Sequence, residues 1–264
     1  MSILELLVSM TVSLLLLGLL SYSVSSFSNS YVQTRDKVFS DRDAELALDF
    51  IVRDLESLFI PARRNVDGEN IEILTVSREE KVEGQWLTLL SLTDDIESDV
   101  SNGVVRAVSY RIGFQDPIDG PEGTGEPQFA LYRKVLTAGT TFDTALVGSD
   151  LRNEVWKDES VVPELTPAED YLGGNVVDLR IKFFSGDKLL SNDPSDTVAI
   201  STDGVFINGN KVFETITSIE VSLVVLTEVG AARVEDGISI PQLIEEHGRA
   251  YSRQTAIFVQ PLFL

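Results

Sequence analysis

The chain begins with a long apolar block that carries a single acid. The block runs from residue 3 to residue 20, and no charged residue occurs between Leu6 and Thr34. Roughly 20 apolar residues at 1.5 Å each span the hydrocarbon of a bilayer, so residues 3–20 are predicted to cross a membrane. Six serines follow between residues 21 and 30, and they suit a membrane interface or a groove between packed helices.

An amphipathic pattern follows the serines. Apolar residues recur at spacings of three, four and seven, which is typical of a helix with one buried face. They are Phe39, Leu46, Ala47, Phe50, Ile51, Leu55, Leu58 and Phe59. Pro61 is expected to end the helix, because the residue before a proline disfavours the helical conformation. The pattern predicts one helix of about 60 residues, roughly 90 Å long, whose second half packs on a sheet.

The remaining residues show the pattern of strands separated by polar loops. Seven segments alternate or run apolar over a strand length. They are residues 71–76, 86–92, 104–114, 129–135, 176–184, 219–226 and 256–263. The third and fourth should pair with each other, residues 137–175 should form a long excursion with short helical pieces, and residues 243–251 should form a short helix.

One long helix followed by about seven strands predicts an α+β fold with a mainly antiparallel sheet. The predicted organisation has three parts. They are a membrane and assembly half of the helix at 1–30, an amphipathic half at 31–60 and a β-rich globular head at 61–264.

Composition narrows the function. The formal net charge of the 264 residues is -21, so nucleic acid is excluded as a partner, since phosphate binding needs a basic surface. Cysteine is absent, and His247 is the only histidine. That histidine lies in a polar setting, where a solvent-exposed side chain is expected. Because neither a nucleophile elbow nor a phosphate-binding loop occurs, the sequence predicts that the protein is not an enzyme.

Acidic loops leave calcium as the one cofactor to consider, because this cation takes several oxygen ligands at flexible spacing. The loops are residues 94–99, 116–126 and 192–196, and the candidate ligands are Asp94, Asp95, Asp116 and Asp119. None of the loops fits the twelve-residue helix-loop-helix pattern. Solvated acidic loops are therefore the favoured interpretation, and no cofactor is expected.

Glu5 distinguishes between three explanations of the apolar block. A carboxylate at a helix centre costs about 2.5–3.5 kcal/mol on insertion scales. A cleaved secretory signal would start with a basic segment, but no Lys or Arg precedes Arg35. A plain anchor explains the hydrophobicity but not the acid. The third explanation is a helix whose acid has a role in assembly.

The start of the chain resembles the type IV pilin-like superfamily. Met1-Ser2-Ile3-Leu4-Glu5-Leu6-Leu7-Val8 is similar to the mature start of a class III signal, Phe-Thr-Leu-Ile-Glu-Leu-Leu-Val. Glu5 matches the fifth position of that family, whereas Met1 stands where Phe is commonest. The resemblance implies that the chain is already processed and N-methylated at Met1, although Met1 as an initiator residue remains the alternative. It also implies that Glu5 pairs with the α-amino group of a neighbouring subunit, which makes a buried carboxylate tolerable.

Three further motifs resemble the J-type pseudopilins of type II secretion and the PilW-type minor pilins. They are Ala47-Leu48-Asp49-Phe50-Ile51-Val52-Arg53-Asp54-Leu55, Val108-Ser109-Tyr110-Arg111-Ile112 and Leu131-Tyr132-Arg133. A later strand, Val177 to Phe184, is similar as well. The resemblance implies a structural subunit that initiates or caps a secretion or pilus filament.

The implied location is the bacterial inner membrane, with one crossing at residues 3–20, a periplasmic head and a place at the filament tip. The implied partners are the membrane, other minor pseudopilins or pilins, and the assembly platform. The alternative function is a membrane-anchored periplasmic binding protein that does not polymerise.

Overall fold

A computed structural model describes most of the chain. The described residues are 3–61, 71–78, 85–92, 105–118, 125–141, 170–191, 193, 195–234 and 238–259. The chain divides into two compact units, Met1–Asp41 and Arg42–Leu264. One helix, Ile3–Glu56, forms the first unit and continues into the second, and the described strands all lie in the second unit.

The helices and strands alternate little along the chain, as the sequence predicted. Helix α1 comes first, strands dominate the rest, and three short helices interrupt them within the described ranges. The elements are α1 Ile3–Glu56, β1 Glu72–Arg78, β2 Gln85–Leu92, β3 Val105–Gln115, β4 Gln128–Val135, α2 Ala138–Thr140, β5 Tyr171–Gly174, β6 Val176–Ser185, β7 Lys188–Ser191, β8 Val198–Ser201, β9 Gly204–Ile207, β10 Asn210–Val212, β11 Ile216–Leu226, α3 Glu228–Ala232, α4 Ile240–His247 and β12 Gly248–Val259.

The strands form two antiparallel sheets, so the predicted α+β class with a mainly antiparallel sheet is confirmed. The first sheet has eight strands in the order β10-β9-β8-β1-β2-β3-β4-β5, and the second has four in the order β12-β11-β6-β7. Strands β3 and β4 pair as predicted, with Tyr110 opposite Arg133. The short strands β5 and β7–β10 were not predicted, because three or four residues carry too little periodicity to stand out.

Helix α1 ends four residues before the predicted end. The chain leaves the helix at Glu56 because the following residues bond to strand β2 instead. Phe59 donates its N–H to the carbonyl of Leu90 at 2.8 Å, and Leu92 donates to the carbonyl of Ser57 at 2.8 Å. The pairing explains why the stop comes before Pro61.

The last strand begins eight residues earlier than predicted, and the preceding helix is displaced to match. Gly248 ends α4 by donating its N–H to the carbonyl of Ile244. A Cβ at this position would lie 2.4 Å from the Ile244 oxygen, so only glycine fits the close approach. The strand then pairs with β11 from Gly248 onward. Residues 260–263 of the predicted strand lie outside the described residues.

The main core of the second unit lies among α1 and the two sheets. It combines α1 residues with inward-facing residues of β1–β4, β6, β8, β9, β11 and β12. Gln85 joins the two sheets, because its side-chain oxygen accepts the backbone N–H of Ile181 at 2.7 Å. The turn from β9 to β10 uses Asn208 and Gly209, both at positive φ, as tight two-residue hairpins require.

Candidate functional site

The described residues of the first unit present an exposed apolar surface. The segment Leu7–Ser28 is long and apolar enough to cross a membrane, and none of it is buried. Its large exposed side chains include Leu14, Leu15, Leu16, Leu17, Leu19 and Leu20. Apolar surface on this scale is unfavourable in water, at roughly 25 cal/mol per Å², and such patches mark contacts with lipid or protein.

The predicted assembly residues lie at the start of this helix. Glu5 is within α1, which begins at Ile3. The Glu5 side chain and the whole of Met1 lie outside the described residues. The predicted pairing of Glu5 with a neighbouring α-amino group therefore stays a prediction, as do processing and methylation at Met1.

The second half of α1 buries one face in the core of the second unit. The buried positions follow helical spacing, and all are at most 2% exposed. They are Ala44, Ala47, Leu48, Ile51 and Leu55. The predicted apolar face was wrong for Leu46, which is 45% exposed. Because residues turn by about 100° each in a helix, Leu46 lies roughly half a turn away from this buried stripe. The side chain of Phe39, also predicted there, lies outside the described residues.

A polar cluster lies within this apolar contact. Asp54 of α1, Tyr110 of β3 and Arg133 of β4 meet with little exposure. Tyr110 donates its hydroxyl proton to Asp54. Arg133 Nε lies 2.9 Å from Asp54 Oδ2 and 3.1 Å from the Tyr110 hydroxyl oxygen, and Arg133 Nη2 lies 3.2 Å from Asp54 Oδ1. Both carboxylate oxygens are therefore bonded by charged or hydroxyl donors, which is the geometry of a strong, orienting contact.

The electrostatics of the cluster favour one protonation pattern. Burial raises the pKa of Tyr110 well above 10.0, and the Asp54 charge raises it further. Burial alone would lower the pKa of Arg133, but the bonds to Asp54 and the nearby Tyr110 offset this, so that pKa is raised. A neutral tyrosine and a charged arginine thus persist at any physiological pH. The Arg133 guanidinium also lies 5.6 Å from the centre of the Phe50 ring.

Two contacts at the rim of the helix reach strand β12. Arg253 forms an ion pair with Asp49. Thr255 donates its hydroxyl to Glu56 at 3.0 Å. Both Arg253 and Asp49 are about half exposed, so their ion pair adds little to the free energy of folding.

Asp116 is the one candidate calcium ligand that the structure describes. Its carboxylate accepts the backbone N–H groups of Ile118 and Gly125, both at 2.8 Å. Backbone donors therefore occupy this carboxylate, and a Cβ on Gly125 would lie 2.3 Å from it. Asp94, Asp95 and Asp119 lie outside the described residues. Within the described ranges, no three His, Asp or Glu side chains gather as a metal site. Calcium binding stays a prediction.

His247 lies at the C-terminal end of α4. Its Nε2 atom is 3.3 Å from Arg233 Nη1 and 3.7 Å from a carboxylate oxygen of Glu246. The side chain is 21% exposed, so the expectation of a solvent-exposed histidine was wrong. The ring packs over Gly230, where a Cβ would lie 2.6 Å from the His247 Cβ. Its neighbours are those of a surface charge cluster.

The sequence did not identify Asp54, Tyr110 and Arg133 as one site. Each of the three residues belonged to a different motif in the sequence. A signal was available in hindsight. A charged residue at position 54 interrupts the apolar stripe formed by Ile51 and Leu55, and such a residue needs a partner when buried.

Comparisons with known proteins find similarity among solved structures and none by sequence. Neither protein-family models nor the sequences of curated proteins give a match. Among solved structures, a type IV-like pilin from Thermus thermophilus is similar over 83% of this chain and 95% of that chain. The two are 13% identical, with a TM-score of 0.39.

Proposed function

We propose that the protein is a filament subunit of the pilin type, a minor pilin or pseudopilin that initiates or caps a type II secretion or type IV pilus filament. The observation that carries the proposal is the division of one helix between two tasks. Its charge-free half around Leu7–Ser28 is fully exposed, and its second half is buried against a β-rich head. A membrane anchor needs only the first half to be apolar, and it has no use for the acid at Glu5.

The head supports the narrower assignment. The three motifs that resemble J-type pseudopilins and PilW-type minor pilins contribute Asp54, Tyr110 and Arg133. These residues meet in one buried cluster at the contact between helix and sheet. We infer that the motifs encode the attachment of the head to the assembly helix. We propose that the protein crosses the bacterial inner membrane once, with a periplasmic head, and has other minor subunits and the assembly platform as partners.

The test replaces Glu5 with Leu. The acid should serve filament incorporation and not insertion, so Glu5→Leu should abolish incorporation while the protein still fractionates with the membrane. Incorporation is measured by the amount of the subunit in sheared or purified filaments, and insertion by resistance to alkaline extraction.

Thr11→Leu is the matched control, because it adds the same side chain to the same apolar segment without removing an acid. The exposed hydroxyl of Thr11 bonds to the carbonyl of Val8 in its own helix. This variant should assemble like the parent. If the parent protein is itself absent from the filaments, the filament function is wrong and the non-polymerising membrane-anchored binding protein is favoured. Normal incorporation of Glu5→Leu would instead remove the role of the acid in assembly.

A further inference from the structure

The buried polar cluster occupies a place where apolar side chains would suffice for stability. Hydrophobic burial is non-directional and depends mainly on the area removed from water. The stripe of α1 that faces the core is made of alanine and aliphatic residues. Asp54 lies within the stripe, one residue before the fully buried Leu55. The cluster therefore calls for an explanation other than hydrophobic stabilisation.

The apolar stripe by itself does not fix where the helix lies along the sheet. A displacement of four residues is about one turn, or roughly 5.4 Å. It would replace the five buried positions by an equally apolar set. That set is Leu48, Ile51, Val52, Leu55 and Phe59. The two registers thus offer similar hydrophobic contact, and the displaced one also requires residues 57–59 to leave their backbone bonds to β2 and extend the helix.

The polar cluster strongly favours the observed register of α1 over the displaced one. In the displaced register, the place of Asp54 is taken by Leu58. Leucine has no acceptor, so the guanidinium of Arg133 and the hydroxyl of Tyr110 would lose their shared carboxylate in a buried setting. An uncompensated buried charge is strongly destabilising, whereas the complete pair is tolerated.

We propose that Asp54, Tyr110 and Arg133 act as a register lock, a set of positioning residues that admits one placement of α1 on β3 and β4. The contacts of Asp49 and Glu56 with β12 and the backbone bonds of residues 57–59 to β2 agree with this register, and the Asp49–Arg253 ion pair is too exposed to impose it. Insofar as the register matters for filament incorporation, the inference rests on the proposed function. The register itself does not depend on that function.

The absence of native cysteine makes the register measurable in the full chain in detergent. Two engineered cysteine pairs share Arg253→Cys. Asp49→Cys reports the observed register, because Asp49 contacts Arg253. Arg53→Cys reports the register displaced by one turn, because residue 53 would then take the place of residue 49. A short thiol-reactive cross-linker gives the ratio of the two products.

The test background replaces the whole lock by apolar residues, as Asp54→Leu, Tyr110→Phe and Arg133→Met. Since replacing a complete buried cluster by apolar residues often preserves stability, this variant should keep its circular dichroism spectrum and a cooperative unfolding transition. The ratio of observed to displaced cross-link should fall by about tenfold or more. A folded variant that keeps the parent ratio would overturn the register lock.

A second variant and a control keep the test decisive. Asp54→Asn retains the shape of the side chain and removes its charge, so it should also lower the ratio of observed to displaced cross-link. This variant provides the test if the triple variant fails to fold. An unchanged ratio in a folded Asp54→Asn variant would equally overturn the proposal. The control background is Lys182→Met with Glu220→Leu, which removes an ion pair between β6 and β11, away from the helix. This background should leave the ratio as in the parent.

Filament incorporation is then measured in the lock variants, with Glu5 intact. A lower ratio together with lower incorporation supports both the lock and its role in assembly. A lower ratio with normal incorporation supports the register lock but contradicts its role in assembly. Failure of the proposed function is seen separately, as the absence of the parent protein from purified filaments.

Discussion

At the scale of single residues, the environment of Tyr132 shows how burial changes an ionisable side chain. Tyr132 is fully buried in a second apolar cluster, smaller than the main core, which includes Trp86, Leu90, Ala107 and Ala130. Burial raises its pKa from 10.0 to about 12, and the charges of Tyr171 and Asp116 act in the same direction. The folded state thus holds the phenol proton more tightly than the unfolded chain does.

This shift predicts an alkaline loss of stability. Because the pKa of Tyr132 is higher in the folded state, its contribution is fully present below pH 10.0 and is lost as pH rises through about 12. Tyr132→Phe removes this titration, so the free energy of unfolding should fall less steeply over the same window. Denaturant titrations at a series of pH values measure the slope. The two curves should run parallel at neutral pH, and a variant that matches the parent slope above pH 10.0 would contradict the assignment.

At the scale of the helix, two leucines of α1 show which of its faces is buried. Leu48 is 2% exposed and lies in the main core, whereas Leu46 is 45% exposed. The sequence pattern assigned Leu46 to the buried face, because both leucines satisfy helical spacing with some of their neighbours. The core contacts of the second unit decide between them.

The same pair of leucines gives a matched test of the helix orientation. Leu48→Ala should lower the free energy of unfolding by about 2–5 kcal/mol, since it leaves a cavity in a packed core. Leu46→Ala makes the same chemical change on the exposed face and should alter the free energy of unfolding by about 0.5 kcal/mol or less. Denaturant unfolding of both variants in detergent gives the comparison. Equal losses would mean that the helix presents a different face to the sheets.

At the scale of the whole molecule, the two units have different requirements. The second unit has its own core, while the first exposes an apolar segment that needs lipid or other helices. The strongly acidic balance of the chain gives no attraction to anionic membrane surfaces. Membrane association should therefore depend on apolar insertion and resist high salt.

Lysine substitutions test this prediction. Leu16→Lys combined with Leu19→Lys places two charges in the apolar segment, each at a cost of about 3 kcal/mol near a helix centre. The variant should lose much of its association with vesicles of neutral phospholipid, as measured by flotation after a high-salt wash.

The control introduces the same two charges elsewhere, as Leu46→Lys with Leu92→Lys. Both leucines are about half exposed on the second unit. This control should float like the parent. Equal flotation of both double variants would rule out insertion through Leu7–Ser28.

Elements with long local patterns could be predicted from the sequence alone. The charge-free block, the helical spacing of α1 and the alternation in β1–β4, β6 and β11 are repeated many times within one segment, so each predicts its structure without the rest of the chain. The acid at Glu5 and the motif resemblance also come from local sequence. The short strands β7–β10 and the start of β12 could not be predicted, because their few residues are held by pairing with distant strands.

Tertiary structure alone decided which residues meet. Strand β8 lies beside β1 although more than a hundred residues separate them, and this pairing sets the order of the larger sheet. Asp54 reaches Arg133 across 79 positions, and Tyr110 across 56. Such contacts depend on strand order, helix rotation and register together, and these are settled only when the whole core packs. Asp54 is one more charged residue in the local pattern, and the folded chain makes it the acceptor at the centre of the helix–sheet contact.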